Sequence, residues 1–146
     1  MKKIKNTKGF TLMEMLIVVA IIAILIAIAI PTFNSSLNKA KVGTDEANIR
    51  SGYASVMTEV LTSDTPVADK TTYTLNVDAS VTKTGDTGGT AYVTKGDAKK
   101  VVTKDSPNIS IGGIDVTPWG VGESVTYTVN VADGETTIAI TTASGK

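Results

Sequence analysis

The chain of 146 residues contains no cysteine and no histidine. Without cysteine, no disulfide can staple a small exported domain, so its stability must come from packing and hydrogen bonding. The two absences also remove the usual general bases, the thiol nucleophiles and most transition-metal ligands. Enzymatic chemistry is therefore not expected, and the sequence calls for no cofactor and no metal. An excess of charge of one sign is missing as well, with 14 Lys and Arg against 14 Asp and Glu. Nucleic-acid binders carry a basic face. The densest basic cluster here, Lys95, Lys99, Lys100 and Lys104, has Asp97 and Asp105 interleaved and no aromatic platform. It reads as a solvated loop and strand edge, and no convincing nucleic-acid site results. Asp105, Asp115 and the glycine-rich links lack the ordered acid spacing of a calcium loop.

What is present in abundance is one hydrophobic run. Lys8-Gly9-Phe10-Thr11-Leu12-Met13-Glu14 leads into unbroken apolar residues from position 15 to position 30, closed by Pro31. Residues 10–30 number twenty-one, close to the ~20 that an α-helix needs to cross a bilayer's hydrocarbon core. Lys2, Lys3, Lys5 and Lys8 precede the run with no acid among them, and basic flanks stay cytoplasmic. The segment is read as a single membrane span with the remainder outside. Glu14 is its anomaly, because a carboxylate in or near hydrocarbon costs several kcal/mol unless it finds a partner. A cut between Gly9 and Phe10 supplies one. The new α-amine lies one helical turn before Glu14, and the same amine of a neighbouring copy could reach it as well.

Two other readings of this stretch compete. Ala27-Ile28-Ala29 behind a lysine-rich start and an apolar core also satisfies the cleavage rule of a secretory signal peptide. Glu14 inside the segment and the helix-like sequence beyond Pro31 argue against it. A plain membrane anchor for an external domain satisfies length and hydropathy, but leaves Glu14 unexplained.

With the basic leader ending in Gly9, then Phe10, Thr11, Leu12 and Glu14, the apolar run and Pro31, the sequence resembles the type IV prepilin family, which includes pilins, pseudopilins and competence pilins. The resemblance implies a prepilin peptidase that cuts after Gly9 and N-methylates Phe10. It implies that Glu14 pairs with a neighbour's N-terminus during filament assembly, and that an assembly platform and its cytoplasmic ATPase extract the subunit from the membrane. Many members have a glycine inside the apolar run. Here Ala20, Ala23, Ala27 and Ala29 stand instead, so local unwinding of the helix is not implied, although Pro31 still removes a helix hydrogen bond and marks a kink. The missing cysteines set the chain apart from pilins with a C-terminal disulfide loop.

Beyond Pro31 the helical period continues. Phe33, Leu37, Ala40, Thr44 and Ala47 recur at alternating four and three, and Ile49, Tyr53, Val56 and Val60 extend the stripe on a rotated face. Asn34, Lys39, Lys41, Asp45, Glu46, Arg50 and Glu59 fill the other sides. Gly43 and Gly52 weaken this helix, and Thr62-Ser63-Asp64-Thr65-Pro66 ends it. From Thr71 onward the period changes to two. Strands are expected around Tyr73, Leu75 and Val77, across 125–131, and around Ile138 and Ile140, the last two joined through a hairpin at Asp133-Gly134. Shorter strands are expected at 81–84, 90–94, 100–103 and 108–111, and no internal repeat is evident. The lone Trp119 falls in a turn, where burial is the better reading.

The expected fold is α+β and pilin-like, a long N-terminal α-helix packed on a small, mainly antiparallel sheet of four to six strands. Four segments result: a cleaved leader at 1–9, a membrane and filament-core half-helix at 10–31, an amphipathic half-helix at 32–62, and a β-rich domain at 63–146. Cleavage would leave 10 basic against 14 acidic side chains, a mildly acidic product. The expected role is a structural subunit that polymerises with itself after leader removal, a membrane precursor that becomes an extracellular filament. The alternative is a minor pilin or pseudopilin acting as an adhesin or in DNA uptake or secretion.

Overall fold

A computed structural model describes residues 9–144; the four leader lysines at positions 2, 3, 5 and 8 lie outside them. Helix α1, Leu12–Thr62, is followed by strands β1 (Thr71–Leu75), β2 (Val81–Lys83), β3 (Ile109–Ile111), β4 (Ile114–Val116), β5 (Glu123–Ala132) and β6 (Glu135–Ser144). A short 3₁₀ turn, Ala98–Lys100, precedes β3. The residues form two compact units, one ending at Leu37 and one beginning at Asn38.

In the second unit a four-stranded sheet, in the order β2-β1-β5-β6, is antiparallel throughout, and β3 pairs with β4 in a separate two-stranded ribbon. The period of two puts Tyr73, Leu75, Val125, Tyr127, Val129, Ile138 and Ile140 on one face, all buried. Against them lie Val42, Ile49 and Val56 of α1, each at most 1% exposed. Each aliphatic side chain enclosed this way contributes about 1.5–3 kcal/mol. The β5–β6 turn is the expected one, with Asp133 at φ 53° and Gly134 at φ 81°, the pair of positive values that a type I′ hairpin needs.

The buried stripe of α1 keeps Ile49 and Val56 of the expected second row, with Tyr53 and Val60 half-buried, but not the first row. Phe33 and Leu37 are exposed, as are Ala40, Thr44 and Ala47. The face that meets the sheet is Val42, Asp45, Ile49, Gly52 and Val56. Periodicity favoured the wrong row because the right one contains an acid and a glycine, and both have specific partners in the fold. Tyr127 lies against Gly52: a Cβ there would collide with the Tyr127 hydroxyl and stand 2.7 Å from Leu75 Cδ1.

Two expected strands are absent. At 100–103 the chain turns, because the Ala98 and Lys99 N–H groups bond the Trp119 carbonyl and Val101 N–H closes back on Ala98. At 90–94 only isolated bridges form, Asn76↔Ala91 and Val93↔Ser124, since the segment crosses from the end of β1 to the start of β5. Strand β4 was not expected. Gly112 and Gly113, at φ 62° and 85°, form the turn that pairs it with β3, and Gly112 rests on the Tyr53 ring.

Candidate functional site

At the head of the first unit, Gly9 and Phe10 precede the helix and Phe10 is 82% exposed. Thr11 caps α1. The Glu14 N–H donates to Thr11 Oγ1 at 3.2 Å, while Glu14 Oε2 accepts from both the Thr11 N–H and its hydroxyl at 2.8 Å. This reciprocal arrangement satisfies two N–H groups that have no partner within the helix. Its signature, Thr followed three residues later by Glu ahead of an apolar run, was present in the sequence, where Glu14 was given only a charge partner. The cap occupies one carboxylate oxygen. Oε1 makes no hydrogen bond among the described residues, and Glu14 is exposed one turn from Phe10.

From Met15 to Ile30 the residues of α1 are exposed on every side. An 18-residue window reaches a mean hydropathy of 3.1 with none of it buried. A soluble helix conceals such a surface, so this one is built for lipid or for other helices. The helix runs on through Pro31, which has no N–H to offer the Ala27 carbonyl. At the next residue, the Thr32 hydroxyl donates to the Ile28 carbonyl at 3.1 Å, a contact that favours bending. Leu25, Ile28, Ala29 and Phe33 line an open apolar groove on this stretch.

A second constellation, in the unit that begins at Asn38, was missed from the sequence. Asp45 is fully buried. Its carboxylate accepts from the Tyr92 hydroxyl at 2.6 Å, the Lys95 N–H at 3.0 Å, the Gly96 N–H at 2.7 Å and Trp119 Nε1 at 3.2 Å. One acid thereby ties the helix to the 92–96 loop and to the only tryptophan. Gly96 must be glycine, because a Cβ there would stand 2.5 Å from the Val42 nitrogen. Burial, then the bond to Asp45, pushes the Tyr92 hydroxyl up to about 12. The cage is enclosed and structural. The expected lysine cluster disperses around it: Lys99 pairs with Glu123 at 3.2 Å, Lys100 with Asp97 at 2.9 Å, and Lys95 lies 5.9 Å from the Tyr92 ring centroid. Among the described residues no group of acids is arranged to hold a metal ion.

The family model of the prokaryotic N-terminal methylation motif matches residues 4–30. Fimbrial protein Q of Moraxella bovis is 30% identical over 135 residues, covering 84% of this chain and 86% of that protein. The type IV narrow pilus major component PilA5 of Thermus thermophilus is 48% identical over 52 residues, 34% of this chain and 45% of that protein. The type IV major alpha-pilin of Moraxella bovis is 38% identical over 60 residues, 41% of this chain and 38% of that protein. No solved structure matches the chain. The methylation motif ends on the capped, exposed apolar helix, and the likeness to fimbrial protein Q covers 84% of the chain and so reaches into the β-rich unit: the chain belongs to the type IV pilin family.

Proposed function

We propose that this pilus structural subunit polymerises through the exposed apolar helix after a cut between Gly9 and Phe10, with Phe10 methylated and Glu14 holding a neighbour's α-amine. Family membership makes the chain a structural subunit and not an enzyme. The observation that carries the proposal is the unburied apolar surface of residues 15–30 with a single carboxylate at its head. Before assembly this surface lies in the bilayer as one span, with the leader lysines on the cytoplasmic side. In the filament, neighbouring helices replace lipid, and the β-rich unit stands on the cell surface.

Thr11 gives Glu14 its geometry. Held by the cap through Oε2, the carboxylate keeps Oε1 for an incoming ammonium. Pro31 and Thr32 together supply a place where the helix bends, and the segments 1–9, 10–31, 32–62 and 63–146 act as leader, filament core, connecting half-helix and surface domain. Extraction from the membrane needs work that this chain cannot supply, which is the part of an ATPase and its membrane platform. Two of the relatives are named major pilus components, which supports a major subunit over a minor one. N-terminal mass analysis of exported protein tests the processing step: the expected chain begins at methylated Phe10. A chain beginning at Ile30 would establish signal-peptide cleavage instead.

A further inference from the structure

The face of the sheet turned away from α1 carries a lattice of threonine. The strand registers align Thr82, Thr74, Thr126 and Thr141 in one row across all four strands. In the next row Thr72 stands opposite Thr128, and the Thr72 hydroxyl donates to that of Thr84 at 2.6 Å. Neighbouring strands lie about 4.8 Å apart and alternate residues about 6.7 Å apart, so the hydroxyls form a regular array. Every member is half-exposed or exposed, and neither row contains a charged residue. The hydroxyls of Thr74, Thr126 and Thr128 enter none of the hydrogen bonds found among the described residues, although the Thr126 carbonyl accepts from the Thr141 hydroxyl at 3.3 Å, so these hydroxyls remain available at the centre of the face.

Beside the rows is a cleft of about 260 Å³, floored by Thr74, Asn76 and Thr82 and walled by the loop from Gly85 to Gly89. The glycines bring that loop down onto the face. A Cβ on Gly88 would stand 3.1 Å from Thr82 Oγ1, and one on Gly89, at φ +38°, would collide with the Asn76 amide. Asp86 on the cleft wall is an acceptor for hydroxyl donors.

We propose that this face binds a neutral polysaccharide chain, laid along the threonine rows with one sugar residue in the cleft. Each threonine hydroxyl both donates and accepts, as sugar hydroxyls do, and each methyl offers a small apolar contact to a ring. The rows are uncharged and the cleft is lined by one lysine, Lys83, beside the acid Asp86, which gives an anionic polymer no basic track, since such polymers are held by several Lys and Arg. A protein partner is disfavoured because the face lacks the aromatic, Met and Arg side chains that carry protein interfaces. The proposal concerns the unit beginning at Asn38 and does not depend on how the subunit assembles.

The test uses the full-length chain in micelles of a detergent without a sugar headgroup, applied to immobilised cellulose, chitin, mannan and heparin. Retention is expected on at least one of the three neutral polymers and should not change with added salt. Thr74→Val, Thr126→Val and Thr128→Val combined keep the β-branched shape and remove three hydroxyls, and should weaken retention roughly tenfold or more with the circular dichroism unchanged. Thr126→Lys, which cannot promote apolar self-association, should weaken it similarly. Retention on none of the neutral polymers, retention on heparin alone, or equal retention of wild type and both variants would each overturn the proposal.

Discussion

Asp45 accepts more hydrogen bonds than any other side chain among the described residues. Its carboxylate joins α1 to Tyr92, Lys95, Gly96 and Trp119, and leaving several buried donors unpaired costs about 1–3 kcal/mol for each. Asp45→Ala should therefore destabilise the unit by at least about 3 kcal/mol, read by thermal unfolding, with red-shifted and quenched emission from Trp119 as water enters. Nothing in the sequence marked this acid as buried, because its donors lie 47 to 74 positions away and only the fold assembles them. The tyrosines set the alkaline limit. Burial raises Tyr127, and burial with the Asp45 bond raises Tyr92 to about 12, both above the ordinary value near 10. A raised acid of this kind supplies stability that is complete below pH ~10 and is lost as pH climbs through ~12, since the unfolded chain releases its protons first. The melting temperature should hold to about pH 10 and then fall. Tyr127→Phe should start lower, for want of the bond to the Ile49 carbonyl at 2.7 Å, and should then fall less steeply. An equal slope would contradict the assignment.

At the scale of elements, α1 contains two glycines that the sequence treats alike and the fold does not. Nothing lies within 4 Å of a Cβ placed on Gly43, whereas one on Gly52 meets Tyr127 and Leu75. Gly43→Ala should stabilise by up to about 1 kcal/mol through helix propensity. Gly52→Ala should destabilise by about 1–3 kcal/mol despite the same propensity gain, because it overpacks the helix–sheet contact. Unfolding midpoints that moved in the same direction would contradict this packing. The β5–β6 hairpin tests a turn. A side chain at Gly134 has open space around it, so Gly134→Val acts through its positive φ alone and should cost about 1–2 kcal/mol. Aggregation should rise with it as the edge strand detaches. Period-two alternation and Asp133-Gly134 made β5, β6 and their turn legible in advance, since both signals are local. Strand β4 was not legible: three residues cannot show a period, and Gly112-Gly113 reads equally well as a link or a turn. The first row of the α1 stripe, from Phe33 to Ala47, was misjudged for the opposite reason, a clear local pattern overridden by a glycine and an acid whose partners are distant, while Ile49 and Val56 of the second row are buried as expected.

For the whole molecule, the N-terminal motif was the most legible part, because the methylation motif, the apolar length and the lysine-rich start are all written within thirty residues. The Thr11–Glu14 capping signature stood there too but was passed over, and Glu14 has a local task in capping α1 alongside the role proposed for it between subunits. These two roles separate in one experiment on Glu14→Ala. Removing a carboxylate from the apolar segment lowers the cost of insertion by roughly 2–3 kcal/mol, against about 1 kcal/mol for the lost cap. The variant should therefore enter the membrane and lose its leader as wild type does. In the proposed filament the same change would strand a neighbour's ammonium in a low-dielectric core, at about 3–5 kcal/mol for each subunit. The decisive measurement is filament yield by shearing and electron microscopy, paired with membrane content and leader cleavage by immunoblot. Polymerisation through Glu14 predicts normal cleavage and membrane content with few or no filaments. Normal cleavage with normal filaments would contradict it.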